Sequence, residues 1–379
     1  MNPADYRTPG QYLKALLDAR GWTQSVLAVI LSVDKAVIVR LVADKKPFTA
    51  PLALKLSTVF GVPAEHFLDL QQHFDLAVAR AIAEPDPRLQ SRARVFGDFP
   101  VAEMIKRGWL NADDIRDVAR VEAELKKFFG VESIEEINAI PHAAKKTNVG
   151  QSVTPAQLAW LQRVRHLADD MLVNRYSPVA VEAAIDRLKG LLGSAEEARK
   201  VPRIMAEAGI RFVLVESLAS AKIDGVCFWL NDFAPVVGMS LRFDRIDNFY
   251  FVLRHELEHV LRRHGRDTPT IDAELEGDRA GHGPDIPEEE RQANDAAADF
   301  CVPRKKMDKF VSVKAPFYAE RDILGFAKTL NIHPGLVAGQ LQRATGRYDR
   351  FRDHLVRIRS IVTPGAMVDG WGDVAPVGN

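Results

Sequence analysis

The sequence predicts a multidomain, mainly α chain. It reads as an N-terminal helical bundle, a helical middle region and an α+β C-terminal domain with a small antiparallel sheet. Three observations carry this. Apolar residues recur at helical spacing over 9–80 and again over 155–193. Short segments rich in β-branched and aromatic residues follow Pro202. Between those segments and further helices lies a stretch, 247–265, that suits a single helix and carries the pentad His255-Glu256-Leu257-Glu258-His259.

Length and composition bound the rest. A chain of 379 residues accommodates two or three domains, and shares of 47% hydrophobic and 27% charged residues are those of a soluble globular protein. The formal net charge is zero, so attraction to nucleic acid or anionic lipid has to come from a local patch. Cys227 and Cys301 form no Cys-x-x-Cys pair and sit in apolar surroundings, which reads as reduced core cysteine. The first residues lack the apolar core of a signal peptide, and no apolar run approaches the ~20 residues of a membrane helix. A cytoplasmic protein with no membrane partner is the expectation.

The first helix carries Tyr12, Leu13, Leu16 and Leu17 on one stripe and ends near Gly21. Thr23 can cap a second over Gln24 to Leu31, and Asp34 or Ser32 a third running to Val42. Pro51 to Phe60 and Val62 to Val78 follow as the fourth and fifth. Two prolines within 84–90 mark a linker, because neither fits inside a helix. Residues 85–200 then read as a helical connecting region or a dimer surface. Leu158, Leu161, Val164 and Leu167 recur at helical spacing there, and Ser177-Pro178 opens another helix. The C-terminal domain spans 201–361. Its strands are expected at 211–216, 225–230 and 235–241, antiparallel because their connections are short. An acidic loop follows at 272–289, then a helix over 288–300. Residues 320–361 read as helical around a break at Asn331-Ile332-His333-Pro334-Gly335. The Gly- and Pro-rich tail, 364–379, is expected to be disordered.

The pentad deserves chemistry rather than counting. With Asp247 as N-cap and Gly265 as stop, the helix puts Phe249, Tyr250, Leu253, Leu257, Val260 and Leu261 on one face. His255 and His259 lie about 40° apart, away from that face, and Glu256 about 60–100° from them. Two imidazoles one turn apart can converge on one ion while the glutamate reaches a water on it. The other reading is an exposed charged helix. A catalytic zinc needs a third protein ligand and an open position. His264 lies five residues after His259 and reads as a C-terminal helix residue favoured by the dipole, while the sixth position is Gly265, which excludes the three-histidine pattern. Glu288, Glu289 and Glu290 are the remaining donors. Glu290 is preferred over Glu289 because Asn294, one turn on, can support it from behind. Glutamates at a helix start are also explained by the macrodipole alone.

The pentad, with Glu290-x-x-Ala293-Asn294-x-x-Ala297-x-x-Phe300-x-x-Pro303 some thirty residues later, resembles the ImmA/IrrE family of zinc metallopeptidases. The stretches 222–259 and 331–342 look like the same family, so the resemblance covers about 200–345. It departs at Gln292, where the family pattern often has glutamate. The resemblance implies a zincin-like domain and a zinc metallo-endopeptidase of the gluzincin type. In that reading zinc is held by His255, His259 and Glu290, Glu256 is the general base, and His333 is a candidate oxyanion donor. A strand edge would hold the extended substrate. The substrate implied is a regulatory protein such as a repressor or antitoxin, or the chain's own N-terminal domain.

Thr23-Gln24, Leu27-Ala28, Leu31, Val37 and Leu41 follow a helix-turn-helix period. Residues 9–80 resemble the HigA-type antitoxin branch of Cro/repressor-like domains. That resemblance implies DNA as partner, with Lys35, Arg40, Lys45 and Lys46 on phosphates. Ala36, Ile38 and Val39 stand where polar base-readers are expected, and Asp34 and Asp44 dilute the local charge. The bundle therefore also reads as a dimerisation or docking module. The alternative for the whole chain is a DNA-binding antitoxin or repressor whose peptidase-like part senses or binds a partner without cutting it.

Overall fold

Capping side chains start the helices of the N-terminal unit. In this computed structural model, which describes residues 2–82, 89–137, 145–146, 153–266, 270–273 and 287–371, Thr8, Thr23 and Asp34 each accept a backbone N–H two or three residues on. They open α1 (Pro9–Arg20), α2 (Gln24–Leu31) and α3 (Lys35–Val42). Ser32 instead ends α2 in the left-handed conformation, φ 54°. Helices α4 (Ala50–Phe60) and α5 (Glu65–Ile82) close the bundle over Tyr12, Leu13, Leu27, Ile38, Leu41 and Phe67, all fully buried. Two sequence expectations change here. Ile38 belongs to this core and cannot face a ligand. Asp44 accepts from Thr8 Oγ1 at 2.5 Å and Gly10 N at 2.8 Å, so its charge ties α1 to the end of α3. A Cβ at Gly10 would stand 2.6 Å from Leu41 O, so only glycine permits that approach.

The chain divides into two compact units, 1–87 and 88–379. Most of the linker expected at 84–90 lies outside the described residues. The second unit starts with α6 (Leu89–Asp98), α7 (Val101–Lys106), α8 (Val118–Phe129) and α9 (Ile134–Ile137), followed by β1 (Lys145–Lys146). Then come α10 (Pro155–Asp169), α11 (Pro178–Lys189), α12 (Val201–Glu207), β2 (Arg211–Val215), β3 (Ile223–Trp229), β4 (Pro235–Met239) and α13 (Ile246–Leu261). After β5 (Thr270–Ala273) follow α14 (Glu288–Cys301), α15 (Arg304–Lys314), α16 (Glu320–Leu330), α17 (Pro334–Thr345), α18 (Arg359–Val362) and β6 (Met367–Asp369).

The sheet has the order β1-β5-β3-β4-β2-β6 and is mixed, which corrects the antiparallel expectation. The hairpin β3–β4 is antiparallel, as its short turn requires, but β4 inserts next to β2 and runs parallel to it. Strand β6 adds parallel to β2 through Val213–Met367 and Val215–Asp369. The expected disorder of 364–379 is therefore wrong for the residues up to 371, and 372–379 lie outside the described ones.

Both faces of the sheet are covered, and the strands alternate between two cores. Phe212, Leu214, Cys227, Trp229, Val237 and Met239 join the core beneath α11–α14 and α17. Val213, Val215, Val226, Phe228 and Val236 join the core beneath α6–α10. Near-continuous apolar strands are the sequence mark of such two-sided burial. The helices within 89–137 and 153–169 thus cover one face of this sheet, inside the second unit rather than as a separate connecting region over 85–200. Polar ties fix them there. Trp160 Nε1 donates to Val215 O at 3.0 Å, Gln157 Nε2 to Ala221 O at 2.8 Å, and Trp109 Nε1 to the buried Asp369 at 2.9 Å. Arg163 also pairs with Asp369.

Residues 346–358 are not helical as expected. Gly346, at φ 66°, ends α17, and an irregular segment with one short 3-10 turn leads to α18. No described helix is long and apolar enough to cross a membrane. Cys227 and Cys301 are buried and form no disulfide among the described residues.

Candidate metal centre

Helix α13 packs on β3 and β4 and is covered by α11, α14 and α17. Every residue from Ile246 to Val260 except the half-buried Arg254 is buried, Asp247, His255, Glu256, Glu258 and His259 included. That removes the reading of an exposed charged helix. It begins after Arg245 rather than at Asp247. Asp247 sits in the first turn and forms a two-pronged ion pair with Arg245. The last helical residue is Leu261, and Gly265, at φ 74°, lies in the turn beyond it.

Three donors converge from α13 and the first turn of α14. His255 Nε2 and His259 Nε2 are 3.0 Å apart. Glu290 Oε2 lies 3.3 Å from His255 Nε2, and Oε1 lies 3.6 Å from His259 Nε2. All three residues are at most 1% exposed. Four-coordinate zinc with bonds near 2.0–2.1 Å separates its donors by roughly 3.3 Å along a tetrahedron edge, and the observed spacings bracket that value. The chemistry of the set points the same way. Both Glu290 oxygens are buried without a hydrogen bond. A buried carboxylate facing two imidazole nitrogens is costly unless a cation or protons compensate it. Two histidines and one glutamate with a fourth position left open form a donor set that suits zinc.

Glu256, 0% exposed, turns toward β3. A Cβ on Gly225 would stand 2.1 Å from Glu256 Oε1 and 2.9 Å from Val252 Cγ1. The missing side chain of Gly225 is therefore the space that the carboxylate occupies. Sequence reasoning missed this glycine, whose only signal was its place inside a strand pattern.

His264 was also missed in its role. His259 Nδ1 and His264 Nδ1 are 2.9 Å apart. If His259 Nε2 offers its lone pair to a metal, its proton sits on Nδ1 and is donated to His264 Nδ1. The His264 proton then lies on Nε2, which faces Glu289 Oε2 at 3.8 Å. Burial and the neighbouring His259 push the His264 pKa down, which favours this neutral form. The carbonyl of His264 accepts from Trp229 Nε1 at 2.9 Å, which fixes the turn.

Other candidates fall outside the cluster. Glu289 is half exposed and meets His264 at 3.8 Å, while Gln292 is bonded to Glu288. Neither carboxylate oxygen of Glu290 receives a hydrogen bond, so the expected support of Glu290 by Asn294 is not formed. His333 is corrected outright. It is the N-cap of α17, its Nδ1 accepts from Gly335 N at 3.0 Å, and burial lowers its pKa. Gly335 lies against Ile246, and nine residues of helix at 1.5 Å each put His255 about 14 Å further along. An oxyanion donor cannot act from there. The strand edge is corrected too, because β3 is paired on both sides, with β4 and β5.

In the N-terminal unit, Lys35, Arg40, Lys45 and Lys46 are all exposed. Lys35, Ala36, Val39 and Arg40 share the outer face of α3, opposite Ile38 and Leu41. Val29 on α2 is 79% exposed.

Residues 13–67 match a protein-family model described as Helix-turn-helix. Among solved structures, an addiction module antidote protein of a HigA family from Coxiella burnetii is similar at 24% identity. The match covers 22% of this chain and 99% of that one, with a TM-score of 0.19. Among curated proteins none matches the chain. The N-terminal unit is a helix-turn-helix domain.

Proposed function

We propose that this chain is a regulator that binds DNA through its helix-turn-helix domain and hydrolyses a peptide bond of a regulatory protein through a zinc site in its second unit. The observation that carries the second half is the convergence of His255, His259 and Glu290 with Glu256 beside them, all inside the core. His255, His259 and Glu290 would hold the metal. Zinc bound there supplies Lewis acidity to a carbonyl and lowers the pKa of a water. Glu256 takes the proton from the attacking water and passes it to the leaving amide nitrogen. The wall of β3 at Gly225 holds the Glu256 carboxylate in place. His264 holds His259 in the tautomer that leaves Nε2 free to bind metal.

DNA binding rests on the matched domain and on the exposed cations at α3. Lys35, Arg40, Lys45 and Lys46 would neutralise phosphates, while Ala36 and Val39 touch bases only through apolar contact.

One observation favours a second reading. Every member of the cluster is almost fully buried, whereas a peptidase must admit a chain to its open position. A repressor or antitoxin whose metal-holding domain senses or binds a partner without cutting it needs no such access. Co-expression with candidate regulators separates the two. Cleavage that disappears with Glu256→Gln, in a variant that keeps its metal, supports hydrolysis. A partner that is bound but never cut supports the sensing role.

A further inference from the structure

At the other end of α13 the loop before the helix and the irregular segment after α17 border a half-open cleft of about 570 Å³. Four arginines line it: Arg245, Arg352, Arg357 and Arg359. Its acid is Asp244, whose Oδ1 already accepts the backbone N–H groups of Ile358 and Arg359 at 3.0 and 2.7 Å. Arg245 is engaged by Asp247. Arg352 and Arg357 are exposed and have no acidic partner among the described residues.

Arg359 is held in place as a wall of this space. Its guanidinium lies over Trp371, 4.9 Å from the ring centroid, and Nη2 reaches Leu241 O at 3.4 Å. Its Nε–H is buried with no hydrogen-bond partner. A buried, fixed donor left unsatisfied beside a cavity calls for an acceptor. A second cavity of about 220 Å³ shares Arg359 and adds Lys222 and Arg242, with Glu216 as its acid. Arg242 Nη1 is also buried without a hydrogen bond, but it faces the buried Asp224 at 3.9 Å. Cationic side chains thus flank Arg359 on both sides, with Asp224 set against Arg242.

We infer that this arginine-lined cavity binds a small phosphate ester of nucleotide size. Guanidinium groups present paired donors that match phosphate oxygens, and the three arginines left once Arg245 is paired with Asp247 exceed the single acid in the lining. Tyr348 and Phe243 lie in the same lining. The volume lies within the roughly 300–1,000 Å³ of small-molecule sites. The site is separate from the metal centre, because Arg245 and His255 are ten residues apart along α13, about 15 Å. It stands whether or not the second unit is a peptidase.

The test is calorimetric titration of the full chain with ATP, ADP, pyrophosphate and inorganic phosphate, with adenosine as the control without phosphate. ATP is expected to bind and adenosine not to. The double variant Arg352→Ala/Arg357→Ala, exposed positions whose loss leaves the fold intact, is expected to weaken ATP binding by about tenfold or more. Arg359→Lys, which keeps the charge and loses the fork, is expected to weaken it as well. The inference is overturned if none of the four phosphates binds below about 1 mM, if adenosine matches ATP, or if the double variant binds as the wild type does. It is also overturned if a single-stranded oligonucleotide binds through these arginines while ATP does not.

Discussion

Replacing His264 by alanine removes the imidazole that faces His259 Nδ1 at 2.9 Å. The backbone carbonyl that anchors the turn to Trp229 is untouched, so the fold of the turn is expected to survive. What is lost is the acceptor that keeps the His259 proton on Nδ1 and its lone pair on Nε2. Partners of this kind are worth about 10–100-fold in metal affinity, or roughly 1.4–2.7 kcal/mol. Glu289→Gln is the matched control. Its carboxylate is half exposed and 3.8 Å from His264 Nε2, a surface pair worth at most about 1 kcal/mol. The assay is competition for zinc against a chromophoric chelator, with circular dichroism to confirm folding. His264→Ala is expected to lose affinity by that factor and Glu289→Gln to change it by well under tenfold. Equal affinity in wild type and His264→Ala would show that the 2.9 Å contact does not orient the ligand.

Gly225→Ala is expected to lower stability by about 1–3 kcal/mol, because its Cβ meets both the Glu256 carboxylate and Val252. Zinc stoichiometry is expected to persist, and loss of metal along with stability would sink the assignment of Gly225 to Glu256 alone. Lys45→Glu with Lys46→Glu is expected to weaken DNA binding at every sequence and flatten its salt slope by about two units. An unchanged slope in filter binding would exclude these lysines from the phosphate contacts. Burial would raise the Glu258 pKa, but hydrogen bonds from Arg254 at 2.7 Å and Arg262 at 2.6 Å outweigh it and hold the group below its ordinary value. A carboxylate lowered on folding contributes stability above its unfolded pKa and loses it as pH falls through the folded one. Glu258→Gln is therefore expected to be less stable than wild type at neutral pH and to close that gap below about pH 4.5 in denaturant titrations. A gap that is constant from pH 7 to pH 3 would contradict the clamp.

The cluster of His255, His259 and Glu290 was legible because local periodicity places its members. His255 and His259 lie one turn apart, and Glu290 opens a helix whose Ala293 and Ala297 fix its inner face. His264 was legible only as a residue failing the three-histidine spacing, since its contact with His259 depends on a turn after α13. Helix α10 announced itself through Leu158 and Val164, but its partner, the far face of the sheet, is a long-range choice that no period encodes. Strand β2 could not be placed beside β4 from connection length, which speaks only for the hairpin. Three residues of β6 in a Gly- and Pro-rich stretch gave no pattern at all. The arginine cavity draws on 244–245 and 352–359, which meet only in the fold. Ile38 and Asp44 looked like surface residues of a recognition helix because α3 is too short for its inner and outer faces to separate cleanly.

Metal analysis of the purified full chain tests the central claim most directly. About one zinc per chain is expected in wild type and in Glu256→Gln, and essentially none in His255→Ala or Glu290→Ala at unchanged helical content. A wild type without stoichiometric metal, or a His255→Ala chain that retains it, would contradict the centre formed by His255, His259 and Glu290.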